Sequence, residues 1–180
     1  MHQMKIQIIL TIIVLGCFYS CTTPKYTVMK HSQIEIHDLD KSLVNYIPLE
    51  DGLVEKSAVL DSSYKLIHAN KFFTLESYVN KLEKSGAKSS DFYFAKTLSA
   101  ITQLNYSLAQ QSLANVTNND YKLLKSLLTI DLNYEIERTG TGVNFKVYLQ
   151  RYQNLIDTYP NNDLLKKIVA IRLRYLRYQY

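Results

Sequence analysis

From Leu53 to the C-terminus, apolar residues recur at spacings of three and four almost without pause. That periodicity limits the fold more than any other feature of the chain, because a 3.6-residue repeat puts such positions on one face of a helix. The segments read Leu53–Ala69 through Val59, Leu60, Tyr64 and Ile67, then Lys71–Ser85 through Phe72, Leu75, Tyr78, Val79 and Leu82. Gly86 is positioned to end the second. Asp91, Asn105, Asp120 and Asp163 are placed to cap four later helices. A further helix from Phe145 through Tyr148, Tyr152 and Leu155 stops at Tyr159-Pro160. Five Gly, three Pro and 47% hydrophobic residues favour a helical core over a turn-rich β-sandwich or a disordered chain. Short links between helices imply antiparallel hairpins, so the expected fold class is all-α.

Ahead of this array, Asp38–Ile47 is expected to form a short helix ended by Pro48 and a Glu50-Asp51-Gly52 turn. Residues 22–37 read as an extended tether.

The helical segments contain a repeat. Adding 34 to Phe72, Leu75, Tyr78, Val79 and Leu82 gives Tyr106, Ala109, Ser112, Leu113 and Val116; adding it to Leu60, Tyr64 and Ile67 gives Phe94, Leu98 and Ile101. A third unit is offset, since 145 − 106 = 39, and places Phe145, Tyr148, Tyr152, Leu155 and Pro160 in similar order. The stretch Asn105–Val116 resembles the second helix of a tetratricopeptide repeat, a helix hairpin of this length. The first helices lack that family's usual small residue and large aromatic in register. Over roughly residues 53–180, the resemblance implies antiparallel hairpins stacked as a short α-solenoid. It also implies a groove lined by the first helix of each hairpin. Ser62, Lys65, Lys96, Ser99 and Lys125 are the solvent-facing candidates there.

The N-terminus carries a second resemblance. Met1–Lys5 is weakly basic, and Ile6–Gly16 is apolar apart from Gln7 and Thr11. Eleven such residues suit a signal-peptide core better than a membrane span. Val14-Leu15-Gly16-Cys17 and Phe18-Tyr19-Ser20-Cys21 both resemble the lipobox of bacterial lipoproteins, with Leu15 and Tyr19 bulky for the second position. Cys21 is the preferred lipidation site, since it leaves the longer apolar core and precedes the polar Thr22-Thr23-Pro24-Lys25; Cys17 is the alternative. The expected organisation is a signal peptide over 1–20, a tether over 21–37 and a helical-repeat domain over 38–180. A multiply acylated cysteine anchors stably, which places the chain in the envelope, at the outer membrane, facing the periplasm or the cell surface.

Little catalytic chemistry is written in the chain. No G-x-S-x-G or H-E-x-x-H pattern occurs. His31 and His37 lie near Glu35, Asp38 and Asp40 at spacings that match no closed zinc set. His68 reads as a helix-end cation. Thr139-Gly140-Thr141-Gly142 lacks the Lys-Ser/Thr that grips phosphate and reads as a turn. Asp131 and Glu135 read as a solvated helix face. Tyr64, Tyr106, Tyr148 and Tyr152 read as core. No enzyme activity, metal or cofactor is expected.

The net charge of +5 is local. Residues 151–180 hold six Lys or Arg against Asp157 and Asp163, or 6 − 2 = +4, whereas residues 21–150 balance. The final helix is expected to bury Leu164, Leu165, Ile168, Ile171 and Leu176, capping the stack, and to present Lys166, Lys167, Arg174 and Arg177 outward. Arg172, Arg174 and Arg177 interleave with Tyr175, Tyr178 and Tyr180. On an exported protein that mixture suits a protein interface or anionic lipid rather than nucleic acid. The resulting expectation is a lipid-anchored adaptor that holds an envelope protein or peptide, with Arg174 and Arg177 as a docking face. The alternative is a periplasmic inhibitor or immunity lipoprotein that neutralises a toxin or hydrolase.

Overall fold

The computed structural model describes Leu43 and residues 47–177 except Thr141; for Leu49 and residues 175–177 it describes the backbone alone. These residues fall within one unit, Lys41–Tyr180. Every regular element among them is helical. A short α1 (Ile47–Glu50) runs into a 3₁₀ turn (Asp51–Leu53). There follow α2 (Ala58–His68), α3 (Phe72–Lys84), α4 (Ser90–Thr102) and α5 (Tyr106–Ala114). A second 3₁₀ turn (Asn119–Tyr121) leads into α6 (Lys122–Thr139), α7 (Phe145–Thr158) and α8 (Asp163–Arg177).

From α2 to α8 each helix packs against the next, and α2 also packs against α4. Helix α4 is the most enclosed: Phe92, Phe94, Ala95, Thr97, Leu98, Ser99, Ala100, Ile101 and Thr102 are all buried. A helix covered on several sides needs apolar or small residues all round rather than one stripe. Two of its buried hydroxyls bond to the helix's own backbone, Thr97 Oγ1 donating to the Tyr93 carbonyl at 2.9 Å and Thr102 Oγ1 to that of Ser99 at 2.7 Å, and Thr97 Oγ1 also reaches the Ala109 carbonyl on α5 at 3.5 Å.

The 34-residue spacing extends to the backbone. Asn70 and Leu104, 34 positions apart, are the two non-glycine residues with positive φ among those described, at 54° and 58°. Each closes a helix in the same way. Lys71 N donates to the Leu66 carbonyl at 2.8 Å and Asn70 N to that of Ile67 at 2.9 Å. Asn105 N donates to Ala100 and Leu104 N to Ile101, both at 2.9 Å. These are paired Schellman closures, in which one left-handed residue lets the chain reverse and satisfies the last carbonyls. The side chains expected to match, Leu60, Tyr64 and Ile67 with Phe94, Leu98 and Ile101, are all buried.

Several boundaries move. Ser89, not Asp91, caps α4, its side chain accepting from Phe92 N at 3.2 Å. Asn162, not Asp163, accepts from Leu165 N at 2.8 Å. Asn118 caps the 3₁₀ turn that precedes α6, where Asp120 had been expected to cap the helix. In each case a neutral side chain accepts the first amide while the acid lies in the first turn, where the helix dipole favours it. Asn105 does cap α5, accepting from Leu108 N at 3.1 Å.

The helix expected over 38–47 lies, apart from Leu43 and Ile47, outside the described residues; Pro48 sits in the first turn of α1, which needs no amide donor there. On α8 the buried stripe is Leu165, Ile168, Val169 and Arg172, while Leu164 and Ile171 are 37% and 38% exposed. Arg172 occupies the core phase, so the stripe is rotated from the purely apolar one.

Candidate functional site

Two places gather polar chemistry. The first is buried. Arg172 on α8 donates through Nε to Asp131 Oδ2 on α6 at 3.1 Å, and through Nη2 to Glu50 Oε1 at the end of α1. Tyr152 on α7 donates its hydroxyl to Asp131 Oδ1. Glu50, Asp131 and Arg172 are 0–3% exposed. Asp131 and Glu135 therefore form no solvated face. They share the core stripe of α6 with Leu124, Leu127, Leu128 and Leu132. Glu135 takes a two-pronged bond from Arg138, at 2.9 Å from Nε and 2.7 Å from Nη2.

Two carboxyls around one buried guanidinium cannot both ionise without leaving a net charge in the core. Burial pushes the Glu50 carboxyl up to about 8, against the pull of Arg172 and with the help of the Asp131 charge. Burial also raises Asp131, but Arg172 and the Tyr152 hydroxyl oppose the shift. At neutral pH the balance thus favours a proton on Glu50, beside Arg172 and Asp131. Glu50 Oε2 and Tyr64 Oη are buried with no hydrogen-bond partner among the described residues, and a missing bond of this kind costs about 1–3 kcal/mol.

The second place is an open groove of about 470 Å³ between α6 and α7. Helix α6 contributes Lys122, Lys125, Ser126, Thr129 and Ile130; α7 contributes Arg151, Asn154, Leu155 and Thr158. Three cations and the aliphatic Ile130 and Leu155 line it, and none of the lining residues is acidic, which suits an anionic ligand with some apolar surface. Arg151 lies over the Tyr148 ring, 4.9 Å from its centroid, so its position is partly set.

Comparison with family models, with curated proteins and with solved structures finds no match. The site therefore rests on its own geometry. Of the groove candidates read from the sequence, Lys125 alone lines the α6–α7 groove, and its Nζ also donates to the Val116 carbonyl at 2.5 Å. Ser62 is half-buried, with its hydroxyl turned to the Ala58 carbonyl at 2.8 Å. Lys65 pairs with Asp61 and Lys96 with Glu83, each at 2.6 Å. Ser99 is not solvent-facing: it is buried and accepts from Gln103 Nε2 at 3.2 Å. Its position in the enclosed α4 explains the difference. Arg174 is exposed, whereas the Arg177 side chain, Cys17, Cys21, His31 and His37 lie outside the described residues.

His68 meets Asp51 Oδ2 at 3.0 Å, so it joins the end of α2 to the segment after α1. Among the described residues no cluster of three or more His, Cys, Asp or Glu could hold a metal, and no helix is long and apolar enough to cross a membrane. Tyr64, Tyr106, Tyr148 and Tyr152 are buried, but Tyr152 is also a hydrogen-bond donor to the charge cluster. Periodicity could have flagged Asp131, Glu135 and Arg172, since each falls in phase with a buried aliphatic stripe. Nothing local marks Glu50.

Proposed function

We propose that this chain is a lipid-anchored adaptor of the bacterial envelope, held at the outer membrane through Cys21, with Cys17 as the alternative. Its helical hairpins form a tetratricopeptide-like stack that holds an acidic segment of another envelope protein. The α6–α7 groove carries this reading: Lys122, Lys125 and Arg151 line it with the aliphatic Ile130 and Leu155, and no acid is among the lining residues. The paired closures at Asn70 and Leu104 support the repeat arrangement. The apolar leader and the two lipobox-like cysteines support export and anchoring. Anchoring confines the groove to a membrane surface and raises the local concentration of partners in the same plane.

Photocrosslinkers at Thr129 and Asn154, placed one at a time in the full chain in intact membranes, test the proposal. Both should capture the same envelope protein, and Lys122→Glu with Arg151→Glu should abolish capture. Crosslinks that survive the charge reversal, or that differ between the two positions, refute the groove assignment. Capture of one soluble enzyme, with loss of its activity, would favour the inhibitor reading.

A further inference from the structure

Helices α2, α4 and α6 start together. Tyr121, which leads into α6, donates to Asp91 Oδ1 in the first turn of α4 at 2.5 Å, and its hydroxyl lies beside Ser57, the cap of α2. Each of these helices packs against the next through a short link and so runs antiparallel to it. The opposite end of the array therefore gathers the turns into α3, α5 and α7. Two contacts agree with this placement. Tyr106, the first residue of α5, feels the charges of Glu135 and Arg138 near the end of α6, and Tyr148 in the first turn of α7 lies beside Glu137. Three of the five exposed large hydrophobic residues among those described stand at these turns: Phe73 is 88% exposed, Leu104 43% and Val147 40%. Lys71 and Lys146, both exposed, are chain neighbours of Phe73 and Val147. The fold gains little from this arrangement. Phe73 keeps nearly all of its surface in water, and Leu104 holds a φ of 58° that the asparagine at the equivalent Asn70 adopts at less cost.

We infer that this end of the array is a lipid-docking face, where Phe73, Leu104 and Val147 enter the headgroup region of a membrane and Lys71 and Lys146 meet the phosphates of anionic lipids. Apolar side chains on three separate turns match a fluid surface, which needs no shape complementarity. A protein partner instead packs on one continuous, well-fitted patch. Leaving water favours the three apolar side chains, and surface-bound segments bury Phe and Leu at the boundary of headgroup and acyl chain with cations beside them. The lysines add an attraction to an anionic surface that fades within a Debye length. The inference rests on the membrane attachment proposed above, but not on the groove. An anchor fixes no orientation by itself: 43 − 21 = 22 residues separate Cys21 from Leu43, enough to span about 70 Å when extended. The docking face supplies the orientation. It turns Lys122 and Thr158, at the far ends of α6 and α7, away from the lipid, which leaves the α6–α7 groove open to a partner.

The chain contains no tryptophan, so Phe73→Trp places a single fluorescent reporter on the face, at a position too exposed for the exchange to disturb the core. The full chain carrying it is reconstituted in vesicles of equal parts phosphatidylcholine and phosphatidylglycerol, with or without bromine on the acyl chains near the headgroup. A side chain about 5–10 Å into the headgroup–acyl boundary lies within reach of the bromine, so emission should fall about twofold or more. Asn161→Trp, in the exposed link between α7 and α8 at the other end of the array, should keep its emission. Adding Lys71→Glu and Lys146→Glu to Phe73→Trp should restore most of the lost emission at low salt. Equal quenching at both positions, no quenching of Phe73→Trp, or quenching indifferent to the charge reversal overturns the inference. A chain that stays off the vesicles overturns it as well. Palmitate incorporation reports the anchor and the Thr129 and Asn154 crosslinks report the groove, so each idea can fail alone.

Discussion

Replacing Arg172 with Met removes the buried cation that pairs with Glu50 and Asp131 and leaves both carboxyls in the core. Breaking a buried pair by deleting one partner costs about 3–5 kcal/mol, because the remaining charge is left uncompensated. For a chain of this length that corresponds to a fall in Tm on the order of 10 °C. The loss should depend on pH. Glu50 holds its proton in the fold up to about 8, against 4.5 as its ordinary value. Its contribution is therefore complete below 4.5 and declines as pH climbs through 8, by about 1.4 kcal/mol per unit at most. Asp131 shifts in the same direction. Arg172 holds both carboxyls down, so the variant raises them further, and its penalty should be small at pH 5 and large at pH 8. Thermal melts followed by circular dichroism at both values measure this. The charge-free combination Glu50→Gln, Asp131→Asn, Arg172→Met should recover most of the lost stability. A loss at pH 8 under about 1 kcal/mol, against the range for a broken buried pair, would falsify the cluster as described; so would an equal loss at both pH values.

Tyr152→Phe removes the hydroxyl that donates to Asp131 and should cost about 1.5–3 kcal/mol, seen as a lower urea midpoint at unchanged slope. Leu104→Gly relieves a φ of 58° and should stabilise by up to about 1 kcal/mol; a loss of stability in the same titration would mean that the Leu104 side chain contributes more than its backbone strain costs. Incorporation of a palmitate analogue should persist in Cys17→Ser and vanish in Cys21→Ser, and the reverse pattern would move the anchor. Arg174→Gln with Arg177→Gln should leave Tm nearly unchanged yet weaken binding to an acidic partner or to anionic vesicles, most clearly at low salt. Binding that is untouched at every salt concentration removes those arginines from the docking face.

The sequence determined the helices, because a helix is written in residues three and four apart. Leu60, Tyr64 and Ile67, or Leu165, Ile168 and Val169, each declare a face without reference to the rest of the chain. The 34-residue recurrence was equally legible, and in the structure the closures at Asn70 and Leu104 repeat at the same spacing. Within a known stripe, a charge such as Asp131 is visible but ambiguous: pattern alone does not say whether its partner is water or an arginine. The α6–α7 groove was half-legible, through Lys125, because its other wall comes from α7, 26 or more residues further along, at Arg151. Only the tertiary structure decided the fate of Glu50, which the sequence presents as part of a Glu50-Asp51-Gly52 surface turn. Its partner Arg172 is 122 residues away, and a solvated and a buried carboxyl look the same until the chain between them has folded. The free energy that separates those states comes from burial and from one distant guanidinium, and neither is a property of the residues beside Glu50.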